Sequence, residues 1–445
     1  MVVVGGGLAG LVAGCALAER GMRVTLLEAR ARLGGATFSF QRGGLTVDNG
    51  QHVLLRCYRQ YLGWLEKIGA GGDISMQRRF TIPVRRVGGP EGRLTRLPGL
   101  PAPLHLGPAL ARYSQLSTVD RARLLPAVAA LRFVDPTDPA SDRMSFGDWL
   151  RRHRQNRATI EAVWDLVTVA ALNTDTANAS LALAAKVFRT ALLERADAAD
   201  IGVPSVDLSR LHAEPAAAYL AERGADIRLR CVVRGVRRDG GEWEVAIDGA
   251  RLRADAVVLA VPPAAAQRLC PADVVPPGAA FSDLGTAPIV NVHMVYPERV
   301  TSLPFFAAID SPAQWVFDKT AVSGVDGGCQ YLAVSVSAAQ DWIDEPTARL
   351  RDVFTAEMAR LLPRAGGLAL GEFFVTRERA ATFRQAPGSG RLRPCARTAI
   401  AGLALAGAWT ATGWPDTMEG AVRSGSEAAR VISEELACMR VKGSA

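Results

Sequence analysis

The chain has 445 residues, 49% of them hydrophobic and 22% charged, with a formal net charge of +8. That length is about three domains' worth of chain with a core that needs no disulfide or metal staple, and the balance excludes disordered and fibrous proteins. The positive charge comes from 48 arginines against four lysines (Lys67, Lys186, Lys319, Lys442), a skew that codon usage explains more simply than nucleic-acid binding, so no nucleic-acid partner is expected and only weak attraction to anionic lipid remains.

The seven cysteines include no C-x-x-C pair. They read as free thiols in a reducing compartment, with no metal site. Met1 to Val4 has no basic segment before it, and no stretch reaches roughly 18 apolar residues. Neither a signal peptide nor a spanning helix is expected. The expected location is cytoplasmic, with any membrane contact peripheral and on the inner face.

The first element is a β-branched strand, Val2 to Val4. Gly5, Gly7 and Gly10 follow as G-x-G-x-x-G. A helix with apolar residues at Leu8, Leu11, Val12 and Cys15 runs to Arg20, and Gly21 is its C-cap. A second strand, Arg23 to Leu27, ends at Glu28. Gly5 allows the tight turn, Gly7 admits a pyrophosphate to the backbone, and Gly10 lets helix and strand pack closely. Leu8 and Ala9 open the helix, whose free N–H groups and dipole favour anions. Glu28 stands where a carboxylate takes the ribose hydroxyls of an adenosine, such as that of FAD or NAD.

The run Glu28-Ala29-Arg30 to Gly34-Gly35 resembles the extended fingerprint of the flavin-containing amine oxidase and phytoene desaturase superfamily. The resemblance implies FAD, with the double glycine brought against its pyrophosphate. Ala36 replaces the usual basic residue, a phosphate contact that Arg30 or Arg32 could cover. Asp48-Asn49-Gly50-Gln51-His52 is similar to the family's loop near the flavin. Gly50 permits close approach there, and Gln51 and His52 offer hydrogen-bonding groups.

Residues 85 to 200 are mostly helical in pattern, with stretches at 118–133, 145–153, 157–172 and 180–198 between proline-rich joints. Three strand-like runs follow, 226–233, 242–247 and 255–261, which read as an antiparallel meander. The resemblance places a residue near Val233 against the adenine. Strands near 289–295, 331–336 and 368–376 and a helix over 346–362 suggest a substrate domain.

The final motif is a strand, 403–406, then Gly407-Ala408-Trp409 through Gly413-Trp414 to Met418, and a helix to about 437. Asp416 and Glu419 have capping-box spacing. In the family this helix start faces the flavin, where its dipole favours the reduced form. Gly413, Gly420 and Gly425 allow close approach, and Ala408 replaces a common acidic residue. FAD segments at both chain ends imply an α/β fold. It comprises a Rossmann-like FAD/NAD(P)-binding domain of the flavin amine oxidase type (1–85, 205–265, 385–445) interleaved with an α+β substrate-binding domain (86–204, 266–384).

Several segments resemble the squalene-associated branch, the hydroxysqualene dehydroxylases: Asp48 to Leu55 with Tyr58, Ala170 to Thr174 with Ala179 to Ala182, Ala381 to Phe383 with Pro387, and Ala406 to Gly425. That resemblance implies reductive removal of an allylic hydroxyl from a long isoprenoid lipid, in squalene and hopanoid biosynthesis, with an external electron donor or reductase. The proton donor is not identified. His52 is a weak candidate, Tyr58 and Asp416 weaker, and His293 reads as a core histidine. The alternatives are a carotenoid-type desaturase, then an amine oxidase using Lys319, then a flavin-free lipid carrier.

Overall fold

A computed structural model describes residues 1–271, 274 and 280–443. Five short strands form an all-parallel sheet in the order 226–228, 25–27, 2–4, 257–259, 403–405. Val2–Val4 and Val257–Leu259 are buried throughout. Unbroken apolar runs are what strands covered on both faces require. Helix Leu8–Glu19 lies against the C-terminal helix Met418–Gly443. They touch so closely that a Cβ on Gly425 would fall 2.3 Å from the Ala9 carbonyl oxygen. Gly425 therefore serves helix packing.

The expected meander is corrected. The antiparallel three-stranded sheet is Val233–Asp239, Glu242–Ile247 and Ala250–Ala254. Gly240, Gly241 and Gly249 supply the positive φ of its two hairpin turns. Asp226–Arg228 and Val257–Leu259 flank this sheet in sequence but join the parallel one.

A second sheet of seven strands runs 372–382, 287–296, 330–336, 315–318, 305–308, 81–85, 92–95. It is antiparallel except where 305–308 pairs with 81–85. The domain boundary expected at residue 85 does not fall there. Thr81–Arg85 is an inner strand of this larger sheet, because its buried Ile82 and Val84 need covering. The two faces alternate as strand geometry demands. Phe305, Ala307 and Phe317 pack toward the helical segment, while Phe306, Ala308 and Val316 pack with Leu350, Phe354 and Met358 of helix Thr347–Leu361.

Beside short helices Gly107–Ala111 and Pro139–Arg143, the four expected helical stretches of the middle segment are observed as Thr118–Leu131, Phe146–Arg152, 157–172 and 181–193. The last ends five residues before the expected 198. The last two contain π-helical turns, Ile160–Trp164 and Arg189–Leu193, which hydrophobic periodicity does not reveal. No helix among the described residues is long and apolar enough to cross a membrane.

Candidate functional site

The dinucleotide turn is fixed by backbone contacts. The Gly5 N–H donates to Leu27 O at 2.8 Å, and the Gly34 N–H donates to Gly6 O at 2.8 Å. A Cβ on Gly35 would sit 2.7 Å from the Cα of Gly7. The first helix starts buried, with no side chain capping it and no acid in its first turn. Its first internal bond is Leu11 N–H to Gly7 O, so the N–H groups of Leu8, Ala9 and Gly10 have no acceptor among the described residues. A buried helix start left open in this way is an anion site.

Glu28 is buried at the strand end. Each of its carboxylate oxygens accepts one N–H, from Gly6 (2.7 Å) and Arg30 (2.8 Å). Each keeps a second lone pair for a ribose hydroxyl. Residues 230 and 231 donate to Arg30 O and Glu28 O, which brings half-buried Val233 near this edge. Ala29, Arg30 and Ala36 are exposed. Arg32, not Arg30, lies at the double glycine: it donates to Gly35 O at 3.2 Å and stacks on Phe38.

The Asp48–His52 loop is anchored to the second sheet. Asn49 O accepts from Asn291 Nδ2 and Thr376 Oγ1, both at 3.2 Å. Gly50 lies beside Asn291 and His52. Gln51 Nε2 and Asn291 Oδ1 are buried with no partner among the described residues. His52 is half-buried, and burial holds its imidazole below the usual range. It borders a cavity of about 10 Å³ with Gln51, Asp48 and Lys319, room for about one water.

The Lys319 ammonium is bound to Asp48 at 2.9 Å in a buried pair. That lysine is therefore committed to a carboxylate. Lys319→Met should cost about 3 kcal/mol in denaturant titration, because it strands the Asp48 charge. Adding Asp48→Asn should recover part of that loss. His293 is indeed a core histidine: Tyr331 and Thr376 engage its two nitrogens.

At the C-terminal motif, the sequence reading overlooked Arg393. This buried side chain donates to the carbonyls of Ala408 (3.0 Å), Trp409 (3.4 Å) and Thr410 (2.5 Å), and to Thr412 Oγ1. Burial lowers its pKa to about 10. It holds the 408–412 loop where an acidic side chain was missing. Nothing in its local sequence marks it, since it is one arginine in an arginine-rich chain. Arg393→Met should destabilise by about 3 kcal/mol and release flavin, read by denaturant titration and absorbance. Gly407 N–H donates to Ser424 Oγ, and exposed Gly413 turns the loop with φ +70°.

The capping role expected of Asp416 is corrected. The helix is capped by Thr417, whose Oγ1 accepts the Gly420 N–H at 3.2 Å. Glu419 turns away and caps another helix, Arg59–Lys67, accepting from Tyr61 N–H at 2.8 Å. Asp416 Oδ2 accepts the Phe383 N–H at 2.8 Å, while Oδ1 has no partner among the described residues. Burial pushes this carboxyl up to about 6. Buried Trp414 and Met418 flank it in sequence. The Trp414 ring meets Tyr58 edge-on at 5.9 Å and carries the Lys186 ammonium at 5.1 Å.

These groups match FAD part by part. The uncapped helix start suits the pyrophosphate and Glu28 the ribose. The unpartnered Gln51 Nε2 and Asn291 Oδ1 suit a hydrogen-bonding ring edge. A family model described as flavin containing amine oxidoreductase matches residues 8–433. The chain is 29% identical to a hydroxysqualene dehydroxylase of Sinorhizobium fredii, covering 97% of this chain and 98% of that protein. It is 27% identical to a zeta-carotene desaturase of Zea mays, covering 99% of this chain and 85% of that one. A triple variant of putrescine oxidase shares the fold with a TM-score of 0.74, at 20% identity over 97% of this chain and 98% of that one. The chain belongs to the flavin containing amine oxidoreductase family and is an FAD-dependent oxidoreductase of α/β fold.

Proposed function

We propose that the chain carries out reductive dehydroxylation of an allylic alcohol on a long isoprenoid, with hydroxysqualene as substrate and squalene and water as products. The observation that carries this reading is Asp416: a carboxyl whose Oδ1 has no partner among the described residues, beside the C-terminal flavin motif and with its pKa pushed by burial up to about 6. Breaking an allylic C–O bond needs a proton on the departing oxygen. Reduced FAD, when bound, supplies the hydride that replaces the hydroxyl. Asp416 Oδ1 holds the proton and gives it up as water leaves. Burial holds the His52 imidazole below its usual range, which favours a hydrogen-bonding role over an acid role. Similarity over almost the full length to a hydroxysqualene dehydroxylase supports the substrate class. FAD must be reduced by an external donor.

A second reading is polyene desaturation, favoured by the similarity to a zeta-carotene desaturase. Amine oxidation fits poorly, because Lys319 is bound to Asp48. The deciding experiment mixes anaerobically reduced enzyme with hydroxysqualene. Squalene should form in step with flavin reoxidation. Neither product nor reoxidation, with a polyene desaturated by the oxidised enzyme, would establish the second reading.

A further inference from the structure

Six large apolar side chains stand exposed among the described residues, and five of them fall between residues 97 and 133: Leu97, Leu104, Val119, Leu125 and Phe133. Phe133 is 87% exposed. The segment is tied down. Leu97 N–H donates to His105 O, Arg121 binds Ala111 O and Tyr113 O, and Arg189 binds Val134 O. Exposed apolar groups gathered on an ordered surface mark an interaction site.

The same stretch carries Arg112, Arg121, Arg123 and Arg132 against one acid, Asp120. Asp120 is engaged by Ser117 and Asn156 and lies 3.9 Å from Arg123 at its nearest, so one acid stands against four arginines. A cavity of about 310 Å³ opens here, lined by Ala102, Arg132, Arg189, Leu193 and Glu194. Its walls adjoin the loop bearing Leu104 and the helix end bearing Phe133. A second copy of the chain would bring the same arginines face to face. An anionic lipid surface satisfies both the arginines and the apolar side chains.

We infer that this face docks on an anionic bilayer, with Leu104, Leu125 and Phe133 entering the acyl boundary, the arginines meeting phosphate headgroups, and the cavity mouth turned to the lipid. That the cavity admits substrate from the bilayer rests on the isoprenoid reading above; the docking itself does not.

The test is flotation of the FAD-loaded protein with phosphatidylglycerol vesicles and with phosphatidylcholine vesicles. Binding to the anionic vesicles should be at least tenfold stronger and should weaken with salt. Leu104→Ser/Leu125→Ser/Phe133→Ser should reduce it at least about tenfold. Arg112→Glu/Arg123→Glu should reduce it at least about 25-fold, at roughly fivefold per arginine. Unchanged flavin absorbance and melting temperature show that each variant is folded; if the triple variant is not, the single Phe133→Ser carries the test. Equal binding by the variants, equal binding to both lipids, or no binding overturns the inference. So does a wild-type dimer that the triple variant dissolves without any vesicle binding. None of these outcomes touches the reaction, and failure to form squalene with intact vesicle binding sinks only the reaction.

Discussion

Asp416→Asn is expected to slow squalene formation about a thousand-fold in a single turnover, with the bound flavin spectrum unchanged. A positioned general acid contributes roughly 10²–10⁴-fold, and the Asp416 carboxyl beside the C-terminal flavin motif keeps Oδ1 without a partner among the described residues. The amide keeps the contact with the Phe383 N–H, since its oxygen still accepts, so the loop should stay in place. Only the protonated carboxyl can donate. The rate should therefore be level below pH about 6 and fall tenfold per pH unit above it. The variant should lack that limb. A variant within threefold of the wild type, or one with the same pH limb, removes Asp416 from the chemistry.

The same shift makes a statement about stability. The folded value lies above the ordinary carboxyl value of 3.8, so the folded protein binds this proton more tightly than the unfolded chain. Stability is then highest below 3.8 and is lost as pH rises to about 6. Asp416→Asn should melt higher than the wild type at pH 8 and level with it near pH 3.

Gly7→Ala and Gly10→Ala should separate cofactor binding from folding. A Cβ at Gly7 meets only Gly35 Cα, at 3.6 Å, which is ordinary contact. It would project into the anion cradle without disturbing the protein. The expected result is a protein whose FAD-free form melts normally but binds FAD at least about a hundredfold more weakly, because lost phosphate N–H contacts are charge-assisted. A Cβ at Gly10 would lie 1.9 Å from Gly5 O. Backbone must move there, so helix and strand part. Gly10→Ala should lower the melting temperature of the FAD-free protein sharply. Equal melting of the two variants, or normal FAD affinity of Gly7→Ala, would contradict this assignment.

The cofactor half was legible because its requirements are local. A strand, three spaced glycines, a helix and Glu28 lie within 28 residues, and each residue type answers one steric or electrostatic demand. The partners that complete the site are distant in sequence. Asn291 reaches Asn49 across 242 positions, and Lys319 finds Asp48 only because the strand Trp315–Asp318 ends beside that loop. The Asp416 reading failed for a related reason. Spacing to Glu419 suggested a cap, but both carboxylates serve other segments, and a threonine between them holds the helix. The meander failed because Val257–Leu259 looks the same whether its neighbours are parallel or antiparallel.

The close crossing of Gly425 over Ala9, and the reach of Glu419 to Tyr61, have a consequence for biosynthesis. A ribosome delivers the phosphate-binding turn well before residues 403–425, its packing partner. At about 5–20 residues per second, the first strand and helix wait roughly 20–80 seconds for residues 403–425. During that interval the apolar flank of the nascent first helix has no cover. A complete cofactor site thus waits for that crossing, and the interval before it is when a chaperone has most to protect.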